Sequence, residues 1–178
     1  MKKTLVLIFL CLILTNVRSQ TEQKNIFKVN PLSLFLATGS AFFEHKIDDK
    51  HSWQLGLAYV GFTSLSIKYS GFNITPEYRI YFHKDALSGM YVGPFLRYQN
   101  YNLTNDMQAT AKYTSFGGGV LLGRQWVYRK GFVLDAFVGP IYNGGQLSNV
   151  SDAAIFSKPG FGIDGLGING GLALGFGF

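Results

Sequence analysis

Cysteine is almost missing from this chain. The single one, Cys11, lies inside the apolar run Leu5 to Leu14, and Ile8-Phe9-Leu10 before it lack the small side chains that lipoprotein cleavage needs. A lipid-anchored cysteine is therefore excluded. Once a leader containing Cys11 is removed, no thiol remains for disulfides or thiolate metal sites. Charge is thin as well, with Asp, Glu, Lys and Arg together at 15%. No basic cluster interleaved with aromatics stands outside the leader, which excludes nucleic acid as an expected partner. Histidine is limited to His45, His51 and His83, none in a ligand spacing, so neither a metal nor another cofactor is expected. Beyond the leader no apolar run approaches the ~20 residues of a membrane-spanning helix. If such a chain crosses a bilayer it must do so as a closed barrel, because only closure gives every backbone group a partner in lipid.

What is present begins with an export signal. Lys2 and Lys3 precede the apolar run, and Val17-Arg18-Ser19 leads to a cleavage point. The run, at about ten residues, is far short of the ~20 of an anchor, so residues 1–19 read as a signal peptide with Gln20 as the new first residue. Lys2, Lys3 and Arg18 leave with it, so 16 − 3 = 13 basic residues face 10 acidic ones and the net charge falls from +6 to 13 − 10 = +3. Residues 20–178 make one domain.

The pattern that organises this domain is clearest at its end. Phe178, Phe176, Leu174, Leu172, Ile168 and Leu166 alternate with Gly177, Gly175, Ala173, Gly171, Asn169, Gly167 and Gly165. A period of two marks a strand, and large apolar residues opposite small ones suit a wall with lipid outside and a filled or wet lumen inside. The final Phe178, with Phe176, resembles the terminal aromatic signal read by the assembly machinery of bacterial outer-membrane barrels. The same alternation runs through Phe72 to Phe82, Met90 to Tyr101, Phe132 to Tyr142 and Trp53 to Phe62. Short joints at 48–51, 84–88 and 128–131 interleave with longer ones at 63–70, 103–111 and 144–159, as periplasmic turns and outer loops do. Placing both termini on the periplasmic side requires eight strands, near 26–37, 40–48, 51–62, 71–83, 89–102, 112–127, 131–143 and 161–178. The expectation is an all-β, eight-stranded antiparallel up-and-down transmembrane barrel. Pro76, Pro94 and Pro140 then call for bulges or strand ends, and Gly117-Gly118-Gly119 for a bulge.

These phases turn Glu44, Lys46, Glu77, Arg79, Arg97 and Asp135 inward, with Arg124 and Asn169 added. Buried charges must be paired to be tolerated, so the set reads as an ionic plug; pairs that exchange to open a small-solute path are the functional alternative. Gly160-Phe161-Gly162-Ile163-Asp164-Gly165 matches a dinucleotide fingerprint in letters only, because its glycines run on into a strand rather than a helix. Asp164 falls on the outward phase, at headgroup level. His51 beside Ser52 and His83 near Ser88 are the nearest approach to a hydrolytic pair, with no acidic orienter implied. Asn73, Asn102 and Asn149 open formal glycosylation sequons, which a bacterial barrel leaves unmodified.

Several stretches resemble a family of small Bacteroidetes outer-membrane β-barrel proteins grouped as a domain of unknown function, DUF3575. They are Lys28-Val29-Asn30-Pro31-Leu32-Ser33-Leu34, Ile74-Thr75-Pro76-Glu77-Tyr78-Arg79, Tyr91-Val92-Gly93-Pro94-Phe95-Leu96-Arg97-Tyr98, Gly117 through Trp126, and the last strand. The resemblance implies the barrel fold and the cell outer membrane, makes the prolines part of the pattern, and brings no activity and no catalytic residue. The expected role is structural or surface-interacting rather than enzymatic. A narrow pore or transporter and a lipid-modifying enzyme are the alternatives. Expected partners are outer-membrane lipid and lipopolysaccharide, the barrel-assembly machinery and an external ligand met by Lys68, Tyr69, Asn105, Asp106 and Asn149, with the protein a monomer.

Overall fold

Alternation with a period of two commits most of the chain to strands, and a computed structural model places them in one ring. It describes residues 23–64, 67–83, 86–106, 109–128, 130–150 and 163–178; the expected signal peptide lies outside them. The strands are β1 (Asn25–Val29), β2 (Thr38–Lys46), β3 (His51–Ser64), β4 (Ile67–Tyr81), β5 (Gly89–Asn105), β6 (Thr110–Val127), β7 (Phe132–Ser148) and β8 (Gly165–Gly177). Each pairs antiparallel with the next, and β8 returns to β1, closing an eight-stranded up-and-down barrel. The start of β1 and the end of β8 meet at the end of the barrel that carries the 47–50, 82–88 and 128–131 connections, the terminal end. There Asn25 and Phe178 exchange backbone hydrogen bonds of 3.0 and 2.8 Å.

Strand β1 stops much earlier than a 26–37 span. Pro31 lacks an N–H and has a fixed φ, so it starts a helix better than it continues a strand. A 3-10 helix, Pro31–Leu36, follows, with the Asn30 side chain accepting from the Leu32 and Ser33 N–H groups at 3.1 and 3.3 Å. The helix ends at Ala37, whose φ of 48° is left-handed. Its N–H bonds back to Leu34 O at 3.0 Å, and its own carbonyl accepts from Gly61 N at 2.9 Å. Replacing Asn30 by Ala removes the cap and is expected to cost about 1 kcal/mol, read as a lower urea midpoint of the refolded barrel, with Asn30→Ser restoring most of it.

The expected bulges are absent. Register is constant through Gly117–Gly119, from Lys112↔Ser148 to Val127↔Val133, and pairing lapses without a shift at Val120 and Leu121 opposite Pro140 and Gly139. The prolines also keep register: Pro76 pairs with Leu55 on one side and Pro94 with Val120 on the other. Pro76 and Pro94 lack a ladder partner only across β4–β5, where pairing lapses between Ile74↔Tyr98 and Glu77↔Phe95 and again before Ile80↔Val92, and Pro140, paired with Ile168, lacks one only across β6–β7. A missing donor interrupts hydrogen bonding without shifting the strand.

Strands also run further at the far end than the expected joints allowed. β3 and β4 reach Ser64 and Ile67, and β5 and β6 reach Asn105 and Thr110, so strands occupy most of the expected 63–70 and 103–111 loops. Val60, Tyr69, Tyr101, Leu103, Ala111 and Tyr113 pack together inside these tips. Tyr69 and Asn105, expected on outer loops, are buried instead. Tyr69 belongs to that cluster, and Asn105 accepts from Ala109 N at 2.7 Å. Strand β8 begins at Gly165, whose φ of 76° breaks the alternation before it. Asp164 is thereby turned from the outward phase onto the strand ends, where it accepts from the Tyr113 hydroxyl at 2.8 Å and Gly145 N at 2.9 Å.

Candidate functional site in the barrel lumen

At the level of the lower lumen, inward positions of β1, β2, β4, β6 and β7 converge on one buried cluster. Lys28 uses all three of its ammonium donors, on Glu44 at 2.5 Å, Gln125 at 2.5 Å and Asp135 at 2.8 Å. The Arg79 guanidinium lies beside it. Its Nε donates to Glu77 Oε1 at 2.9 Å, and its Nη1 reaches Asp135 Oδ2 at 2.8 Å and Glu44 Oε2 at 3.2 Å. The remaining carboxylate oxygens are also met. Glu44 Oε1 accepts from Ser52 at 2.6 Å and Tyr81 at 2.7 Å; Asp135 Oδ1 accepts from Tyr91 at 2.9 Å; Glu77 Oε2 accepts from Gln54 at 2.9 Å. Gln125 links the cluster to the chain below through the Leu87 carbonyl at 2.9 Å. Ile26, Leu87 and Val133 pack at this end of the lumen.

Glycines make the cluster fit. A Cβ on Gly93 would strike Glu77 Oε1, one on Gly123 the Tyr91 ring, and one on Gly175 would lie 2.6 Å from Lys28 Cγ. The bare face of β8 thus leaves room for Lys28 and, at Gly171, for Asn30 and Phe137.

The structure therefore unites four of the sequence-derived lumen residues, Glu44, Glu77, Arg79 and Asp135, in one network. Lys46 lies at the terminal end, 3.7 Å from the exposed Asp49 carboxylate. Arg97 is inward but stands above the network, its Nε donating to Thr75 at 3.2 Å and its guanidinium lying over Phe95. Asn169 faces the same upper space. Arg124 is on the outer face, over the Trp126 ring at 5.1 Å. The uninterrupted register of the glycine run sets this phase and gives the inward place to Gln125. Phe176 is outward, between Phe27 and Phe132, and Phe178 is exposed next to it.

Lys28 is the central residue that sequence reasoning missed. Its signal was present, a lysine between the outward Phe27 and Val29, but β1 is too short for its phase to be read alone. Tyr81, Tyr91, Ser52 and Gln54 were missed because neutral hydrogen-bonding side chains do not stand out among inward residues. Ser52 gives its hydroxyl to Glu44, while the His51 ring is 2.8 Å from Asp48 on the turn, so the adjacent pair is split between strand faces. Asp48 is held below the usual carboxylate range by the Lys50 N–H it accepts from, helped by the His51 ring.

Above the network lies a cavity of about 550 Å³. Phe42, Leu121 and Phe137 line it together with Gln54, Arg97 and Asn169. Gln54 Oε1 is buried without a hydrogen-bond partner.

A protein-family model described as "Protein of unknown function (DUF3575)" matches residues 5–151 of the 178. No curated protein and no solved structure matches the chain.

Proposed function

Because the chain belongs to the DUF3575 family, whose description assigns no activity, we propose its role from geometry: an integral outer-membrane β-barrel with a structural or surface-interaction role, its lumen closed to solutes by the buried charge network. The observation that carries this reading is the Lys28–Glu44–Arg79–Asp135–Glu77 cluster, which draws side chains from β1, β2, β4 and β7 to one point and gives each ionised atom a partner. Parting such a network would strand buried charges, at several kcal/mol for each ion, so a fixed plug is favoured over an exchanging gate.

The outer face supports the membrane part. Tyr59, Phe72, Tyr98, Phe116 and Tyr142 lie toward the far end and Trp53, Tyr78, Phe82, Trp126, Phe132 and Phe176 toward the terminal end. Between them the outward residues are Leu55, Leu57, Ile74, Pro94, Leu96, Val120, Leu122, Val138 and Ile168. Phe72 and Phe82, Phe116 and Trp126, and Phe132 and Tyr142 are each about ten positions apart, which at ~3.3 Å per residue and a tilt of ~40° is about 25 Å, the height of a lipid-facing band. Lys68, Asp106 and Asn149 are exposed at the far rim, where an external partner would meet them.

Planar-bilayer recording of the purified protein tests the plug. The expected result is no steady conductance. Stable channels that disappear on neutralising Glu77 or Arg97 would overturn it in favour of a pore. The membrane reading is tested separately by heat-modifiable migration and by a protease-protected core in vesicles.

A further inference from the structure

The wall of the barrel is incomplete as a sheet. β1 pairs with β8 only from Ile26↔Gly177 to Val29↔Leu174. Past Val29 the chain leaves the sheet for the 3-10 helix and rejoins it at Thr38. Among the described residues no strand lies against the Gly165–Ala173 stretch of β8 on that side, and Thr38, Gly39 and Ser40 of β2 face it across the interval. The 3-10 helix stands in the interval, touching both β2 and β8. It is tied to the wall by few bonds: Asn30 N to Ser40 O at 3.1 Å, and the Ser33 hydroxyl, 2.8 Å from Thr38 O and 3.1 Å from Ser40 Oγ. Its apolar side chains are exposed, Leu34 at 66% and Phe35 at 87%. Outward Ile168 and Leu172 on β8 belong to the apolar band, and Leu166 pairs with Tyr142 of the far aromatic girdle. The interval therefore sits in the far half of the band.

The cavity reaches this interval, since Phe35, Ala37, Ile168 and Gly170 line it along with the lumen residues. Its floor is the ionic network, and the cluster of Tyr69, Tyr101, Leu103 and Tyr113 narrows the axial mouth. Two polar groups inside are left unmatched. The Gln54 amide oxygen is buried and accepts nothing. Arg97 commits only its Nε, so among the described residues its terminal nitrogens have no hydrogen-bond partner. A guanidinium in that state binds a planar anion through two parallel N–H groups. Asn73, Thr75, Glu77 and Gln99 line the cavity as well, opposite the apolar Phe42, Leu121 and Phe137; a cavity of several hundred Å³ that joins apolar walls to convergent polar groups is the usual form of a small-molecule site.

We propose that this cavity binds a single-chain anionic amphiphile, a long-chain carboxylate, which reaches it sideways from the bilayer through the β8–β2 interval. The carboxylate sits on Arg97, and the acyl chain lies along Phe42, Leu121 and Phe137 toward the 3-10 helix. The route rests on the membrane reading above; the seat on Arg97 does not.

The test is photolabelling of the full barrel by palmitic acid carrying a diazirine at its chain end, with labelled residues mapped by mass spectrometry. It is run in lipid nanodiscs and in detergent micelles, with heat-modifiable migration confirming that each variant is folded. Expected are labels on Leu121 or Phe137 inside the lumen, displacement by palmitic acid but not by hexadecanol, and at least a tenfold loss in Arg97→Gln and in Ala58→Trp, which fills the lumen from β3. Labelling confined to outward residues, or unchanged in both folded variants, overturns the proposal. Labelling of the lumen in micelles by a protein that fails to enter bilayers would keep the seat and overturn the lateral route with the membrane reading.

Discussion

Arg79→Met is expected to destabilise the barrel by about 3–5 kcal/mol, the cost of removing one partner from a buried ion cluster. Arg79 is wholly buried and, among the described residues, is the only group that contacts Glu44, Glu77 and Asp135 together. Without it three carboxylates face Lys28 alone, and Glu77 keeps only the Gln54 amide. Methionine fills the stem volume, so the loss reports charge rather than a cavity. Urea titration of the refolded protein in vesicles, followed by Trp53 and Trp126 fluorescence and by gel migration, measures it. The double variant Arg79→Met with Glu77→Gln should recover part of the loss, because groups in one network do not act additively. A single variant within about 0.5 kcal/mol of the parent would show that water reaches the cluster and that the lumen is not plugged.

Gly175→Val should be nearly as damaging, at about 3 kcal/mol or more, through overpacking where nothing can yield. A Cβ there meets the Phe27 carbonyl oxygen, part of the backbone, and the Lys28 stem. Phe27 lies in the short β1–β8 pairing, so the strand cannot step aside without losing closure, and Lys28 cannot move without leaving its three acceptors. The same titration reads the loss, and the unfolded fraction should rise in gels without heating. Gly39→Ala is the control: nothing lies within 4 Å of a Cβ at that position, so its midpoint should stay within about 0.5 kcal/mol of the parent.

The ring of eight strands was legible because outward and inward side chains differ so sharply in β3, β4, β5, β7 and β8. Phe72, Ile74, Pro76, Tyr78 and Ile80 against Asn73, Thr75, Glu77, Arg79 and Tyr81 admit one phase only. Where side chains disappear, phase disappears: the three glycines of β6 hid whether Arg124 or Gln125 faced the lumen, and only the register with β5 and β7 decides it. The first strand failed for another reason. Leu32, Leu34 and Leu36 alternate in letters as a strand would, but one position out of phase with Phe27 and Val29, and it is at Pro31 that the phase breaks and the true end lies. Strand tips were misjudged because polar and Gly-rich residues at the far end look like loop, yet long-range pairing and the packing of Tyr69 and Tyr113 keep them in the sheet. The candidate site inherits these limits. Four acidic and basic members of the network were visible from alternation, and Lys28, which joins them, lay on the strand whose phase could not be read.

The position of Lys28 has a consequence for the order in which the barrel assembles. β1 is first in the ring, yet the acceptors of its lysine come from β2, β6 and β7. Pairing of β1 with β2 is enough to set Lys28 beside Glu44, but Gln125 and Asp135 lie across the seam on β6 and β7 and reach the ammonium only when β1 closes on β8. A ring closed in the wrong register would leave Asp135 without that partner. Four residue pairs are a weak latch by themselves; Lys28 gives them selectivity, so that completion of the wall and of the interior become a single cooperative event.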